Sequence, residues 1–149
     1  MYAIVLSLHN VVRWLVLVAA VFAVMRAISG WVSRSPWTPA SAGPGRFFTI
    51  SLDVQFLLGI LLYAVLSPVT KAAFADMASA MGQREIRFFV AEHAVFMVLA
   101  LVAAHMGKAL APKGATDTLK YRRAAVWYGL ATLCMLAGMP WWRPLLRLG

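Results

Sequence analysis

The sequence is poor in cysteine, in acidic residues and in charge of either sign. Of 149 residues, one is cysteine, five are Asp or Glu and 13% are charged, about half the charge of an ordinary soluble domain. A single cysteine excludes an internal disulfide, a thiolate zinc site built from this chain alone, and the paired cysteines of c-type haem attachment. Cys134 sits in an apolar run and reads as a small packing residue. No glycine-rich phosphate loop, nucleophile elbow or HExxH pattern is present, so hydrolase and nucleotide chemistry find no support. There is no internal repeat, and residues 1–149 read as one domain.

What is abundant is apolar. The hydrophobic set makes up 62% of the chain, mean hydropathy is +0.78, and the apolar residues fall in blocks. That excludes a disordered tail, a disulfide-stapled secreted module and an ordinary water-soluble enzyme. A bilayer core of about 30 Å needs about 20 mostly apolar residues per helix. Four stretches qualify, at about 3–25, 47–66, 86–106 and 124–139. Tyr121 and the Trp141-Trp142 pair extend the last one into both interfaces, to about 121–142. The first stretch lacks a basic start and carries His9, Asn10 and Arg13, so it reads as a span and not as a cleavable signal peptide.

The connections are distinct in kind. Residues 30–46 contain Ser-Pro-Trp-Thr-Pro and Gly-Pro-Gly, which predict a breaker-rich loop. Ser67-Pro68 stops the second span and predicts a short helix ending at Gly82, with Phe74, Met77, Ala78 and Met81 on one face lying along the membrane. Residues 108–123 are strongly basic, and the tail Trp141-Trp142-Arg143-Pro144 reads as interfacial. The expected fold is therefore an all-α membrane protein: a four-transmembrane-helix, up-down-up-down bundle with a surface helix between spans 2 and 3.

The net charge of +9 comes from basic residues scattered at segment ends, which favours anionic lipid over nucleic acid. Arg26, Arg34, Arg46, Lys108, Lys113, Lys120, Arg122 and Arg123 lie on one side. Lys71, Arg84, Arg87, Arg143 and Arg147 lie on the other. Eight against five places both termini outside, in the periplasm for a bacterial inner membrane.

Ionisable groups within spans are expensive and face the bundle interior or a cavity. His9 and His93 lie about six and seven residues into spans that start on the same side, so both sit about 9–11 Å below one surface. Two neutral imidazoles at matched depth on separate helices suit axial ligation of a b-type haem. Arg13 shares the face of His9, and its guanidinium needs an anion, either a haem propionate or Glu92. The small face through His93, Met97, Ala100 and Ala104, and Gly59 on the second span, leave room for a flat ligand. Two alternatives stand beside this one: a structural network of Arg13, Glu92 and the two histidines, and a chlorophyll-type tetrapyrrole held by one histidine.

His105 lies about 18 Å and about 120° beyond His93. With three histidines in the chain a second bis-histidine site is excluded. His105 can instead meet Asp53 or Gln55, forming either an interfacial polar contact or a quinone or proton-relay cluster. Methionines four apart, Met77/Met81 and Met135/Met139, suit Cu(I), but no Met-rich loop accompanies them.

Leu8-His9-Asn10-Val11-Val12-Arg13-Trp14, Asp53-Val54-Gln55 with Leu58-Gly59, Arg87-Phe88-Phe89 before Glu92-His93, and Met139-Pro140-Trp141 together resemble short bacterial four-helix membrane proteins often labelled cytochrome b-like. The resemblance covers nearly the whole chain, with Asn10 where that family's opening motif has serine. It implies His9 and His93 as haem-iron ligands, with Arg13 and Glu92 around them. The expected role is a haem b electron carrier within the membrane; the alternative is a cofactor-free accessory subunit of a larger respiratory or photosynthetic complex. Either is an electron carrier or accessory subunit rather than an enzyme, with the lipid bilayer and other membrane subunits as partners.

Overall fold

A computed structural model describes residues 1–143 of the chain. Pro144 and Arg147, which the sequence places in an interfacial tail and in the charge count, lie outside the described residues. Among the described residues the chain is helical throughout, with no strand. Helix α1 is Tyr2–Val32. A 3-10 turn, Pro39–Ala42, leads into α2, Gly43–Leu61, which continues as a π-helical turn, Leu62–Leu66. Two short helices follow, α3 at Pro68–Ala75 and α4 at Met77–Gly82. Next come α5, Arg84–Arg87, a second π-helical turn, Phe88–Glu92, and α6, His93–Leu110. The last helix is α7, Asp117–Ala137.

Three stretches are long and apolar enough to cross a bilayer: Tyr2–Val32, Pro39–Leu66 and Arg84–Leu110. By that measure the protein is a membrane protein. Helix α7 falls short because every 18-residue stretch of it contains Lys120, Arg122 and Arg123.

Several boundaries differ from the expected ones. Helix α1 runs past Met25 to Val32, because Gly30 is buried against the Tyr121 ring and the helix ends only after that contact. Gly43-Pro44-Gly45 opens α2 instead of lying in the loop, since proline fits the first turn, where its missing N–H is not needed. The single surface helix is two helices, bent at Asp76, whose Oδ1 accepts from the Ser79 N–H at 3.0 Å and so starts α4 anew. Helix α6 continues to Leu110, and α7 stops at Ala137, short of Trp141 and Trp142.

The four long helices pack in a ring. α1 lies against α2 and α7, and α6 lies against α7 and α2. Neighbours run antiparallel: Gly59 late in α2 faces His9 early in α1, and Gly30 late in α1 faces Tyr121 early in α7. Their shared core is built largely from alanine, with Ala20, Ala100, Ala104 and Ala131 fully buried. Without a hydrophobic drive between helices in lipid, small residues let backbones approach and gain dispersion contacts. Phe48, Leu52 and Val16 are buried among them, while many other large apolar residues point outward, as Val18, Phe22, Leu57 and Leu133 do.

Two aromatic residues, Phe48 and Tyr128, break the alanine pattern. The Tyr128 ring enters between α2 and α6, where Gly45 and Gly107 leave space for it, and it meets Phe48 edge to face at 5.9 Å.

The two basic connections share one end of the bundle. Ser41 Oγ lies 2.9 Å from the Tyr121 hydroxyl, Trp37 packs edge to face on Tyr121 at 4.8 Å, and Arg123 donates to the Leu110 carbonyl at 3.3 Å. At the start of α7, Lys120 donates to Asp117 at 2.9 Å. That bond, helped by the Trp37 N–H, holds the Asp117 carboxyl below its ordinary range.

Candidate functional site: a histidine-lined cavity

At the other end of the bundle the helices part around a cavity of about 400 Å³, within the size range of small-molecule and cofactor sites. α1 contributes His9, Asn10 and Arg13; α2 contributes Leu52, Gln55 and Gly59; α6 contributes His93 and Met97; and α7 contributes Met135. Ser67, Val69 and Thr70 close it from the side of α3.

The histidines meet across this space. Their ring centroids are 6.4 Å apart, with planes inclined at 69°. His93 Nδ1 lies 2.7 Å from the Gly138 carbonyl just past α7, so Nδ1–H donates there and Nε2 is left as the basic nitrogen. His9 packs its Cε1 edge toward Gly59, where a Cβ would lie 3.3 Å away. Its own Nδ1 is buried without a hydrogen-bond partner. Gln55, 7% exposed, donates from Nε2 to the His9 carbonyl at 3.0 Å, and its Oε1 is likewise buried without a partner.

Both π-helical turns stand at the mouth and are tied together. The Tyr63 hydroxyl donates to the Val90 carbonyl at 2.7 Å, and the Thr70 hydroxyl donates to the Tyr63 carbonyl at 2.7 Å. A π turn leaves carbonyls without their usual partner four residues on, and these two side chains supply one. Because the second turn runs directly into His93, the lacing fixes where α6 presents its imidazole.

The lining carries Arg13 and Arg143 and no carboxylate among the described residues. The Arg13 guanidinium lies 5.8 Å from the Trp14 ring centroid. Arg143 stacks 4.4 Å over Phe89 and donates to Glu85 at 3.2 Å.

Not every expected residue is at the site. Glu92 does not meet Arg13; its carboxylate accepts from Arg87 at 2.9 Å, both side chains being nearly half exposed. The residue next to His93 points about 100° away around the helix, toward the surface. Asp53 and Gln55 do not form one cluster with His105. They are two residues apart, about 200° around α2, and they face opposite ways. Asp53 pairs with His105 at 2.9 Å on the outer side of the bundle, with side chains 39% and 47% exposed. Gln55 faces the histidine cavity. Of the small face on α6, Ala100 and Ala104 are packed into the core and leave no room for a ligand. The free space lies only beside His93 and Met97. The methionine pairs are separate: Met77 and Met81 are exposed, while Met135 and Met139 are buried.

Tyr63, Thr70, Arg143 and the Gly138 carbonyl were not singled out from sequence. Tyr63 carried a signal, since a tyrosine inside an apolar span needs a partner for its hydroxyl. A backbone carbonyl carries none. Among the described residues no three of His, Cys, Asp or Glu converge on a common point. No family model, curated protein or solved structure matches the chain.

Proposed function

We propose that the chain is a small haem b protein that carries electrons within the bacterial inner membrane, with the iron held between His9 and His93. The observation that carries this reading is the pair of imidazoles 6.4 Å apart, on diagonal helices, in a cavity of about 400 Å³. Two metal–imidazole bonds of about 2 Å, plus the distance from each nitrogen to its ring centre, call for centroids about 6 Å apart. The Gly138 carbonyl supports it further, because a metal-bound histidine usually donates its other N–H to such a group. Arg13, which lines the cavity on the same helix as His9, would face a propionate, while Arg143 at the mouth donates to Glu85.

Haem, when bound, supplies a one-electron couple. The chain's part is to bind it, to fix both imidazoles and to exclude water with Leu52, Met97 and Met135. In this reading α7 is the fourth span. Its basic residues cluster in the first two turns and snorkel to the headgroups, leaving residues 124–137 of the helix to cross, with Trp141 and Trp142 beyond its end at the interface. The two basic connections face the cytoplasm and both termini the periplasm.

A second reading, an accessory subunit of a larger electron-transfer complex, draws on the Asp53–His105 pair. An ionisable pair on the outer face of membrane helices is costly against lipid and suits cover by a neighbouring subunit.

The test is purification of the full chain in mild detergent, with oxidised and reduced visible spectra and a pyridine haemochrome assay. A Soret band with sharp reduced α and β bands, at about one haem per chain and lost in His93→Ala, is the expected result. A featureless spectrum from cells supplied with haem overturns the haem reading, and stable co-purification with larger subunits then favours the second.

A further inference from the structure

Among the buried polar atoms of the cavity, His9 Nδ1 and Gln55 Oε1 have no hydrogen-bond partner, and their two residues are already joined by the bond from Gln55 Nε2 to the His9 carbonyl. Their chemistry is complementary. An imidazole bound to iron through Nε2 carries its proton on Nδ1 and must donate it. The amide of Gln55 is already oriented, because its NH₂ group donates to the His9 carbonyl, and its oxygen is therefore left as an acceptor. Three other polar groups of the lining are engaged elsewhere. The Tyr63 hydroxyl is used by Val90, that of Thr70 by Tyr63, and His93 Nδ1 by Gly138.

We infer that Gln55 is a positioning residue for His9, its Oε1 accepting the Nδ1–H of that imidazole directly or through one buried water. The inference rests on the haem reading and adds to it an asymmetry between the two ligands. His93 is oriented by a backbone carbonyl that no substitution can remove, whereas His9 is oriented by an exchangeable side chain. A hydrogen bond at Nδ1 raises the basicity of the ligating nitrogen and stabilises the ferric state. Position 55 is then the point at which this chain sets its potential.

The experiment is a redox titration and a haem-retention assay on the purified full-length protein, wild type, Gln55→Leu and Gln55→Glu. Gln55→Leu removes the acceptor; its midpoint potential should rise, and its haem should be held about 10- to 100-fold less tightly. Gln55→Glu keeps the shape and strengthens the acceptor; its potential should fall below that of wild type. Opposite shifts in the two variants are not produced by a merely structural glutamine. Unchanged potential in Gln55→Glu, or equal shifts in one direction, overturns the inference while leaving the haem reading intact. Wild-type protein without a b-type spectrum overturns both.

Discussion

Tyr128 sits between two helices that each present a glycine to it, so Gly107→Ala is a measurable perturbation of the bundle. A Cβ on Gly107 would lie 2.7 Å from Tyr128 Cε1 and 3.0 Å from Cδ1, where ordinary contacts begin at 3.4 Å. The ring would have to retreat by about 0.7 Å (3.4 − 2.7). It has no room to do so: its hydroxyl end lies against Gly45, and Phe48 stands edge-on beside it. Overpacking of this kind costs roughly 1–3 kcal/mol. Part of that loss is masked, because alanine favours a helix over glycine by about 1 kcal/mol.

Gly129→Ala supplies the control. Gly129 lies in the middle of α7 with nothing within 4 Å of a Cβ, so it takes the helical gain without the collision. Gly107→Ala should therefore be less stable than Gly129→Ala by about 1–3 kcal/mol. In a Tyr128→Leu background the difference should shrink, giving a coupling of about 0.5–3 kcal/mol. Reversible unfolding in mixed detergent–SDS micelles, followed by far-UV circular dichroism, measures all four proteins. Equal stability of the two single alanine variants refutes the reasoning.

Two further outcomes follow from the charged end of the bundle. Asp117 has an ordinary value of 3.8 and is lowered in the fold by its Lys120 hydrogen bond. Its stabilising contribution is therefore complete above that value and is lost as pH falls through the lower, folded one. A carboxyl ¹³C NMR titration of the protein in detergent should give a midpoint below 3.8, and a midpoint at or above it contradicts the bond. For orientation, a membrane-impermeant maleimide applied to intact cells should label Gln83→Cys, exposed just past α4, and spare Lys113→Cys, both in a Cys134→Ala background. The reverse pattern inverts the topology.

The sequence made three of the apolar stretches legible as spans because each needs only length and composition. It also made His9 and His93 legible as partners, since helical rise alone puts them at one depth. Rotation was only partly readable. The opposite facing of Asp53 and Gln55 follows from their spacing on one helix, but which of the two turns inward depends on α1, and its contact with the His9 carbonyl is not written locally. Arg26 resembled the end of a span, yet α1 continues because Gly30 meets a tyrosine some ninety residues later in the chain. Glycine was the least readable residue: Gly43 opens a helix, whereas Gly45 and Gly107 make room for Tyr128.

The π-helical turns at the mouth have a consequence for how this chain can vary. Winding one additional residue into a turn rotates everything beyond it by about 100°. The stretch Arg84–Arg87 and the helix from His93 onward are therefore out of phase with each other, although they form one continuous rod. A single helical wheel drawn through both would misplace one of them. The two halves are also released from a common register: the half before the turn aims Glu85 at Arg143 and Arg87 at Glu92, while the half that presents His93 keeps its alanine face turned toward α7.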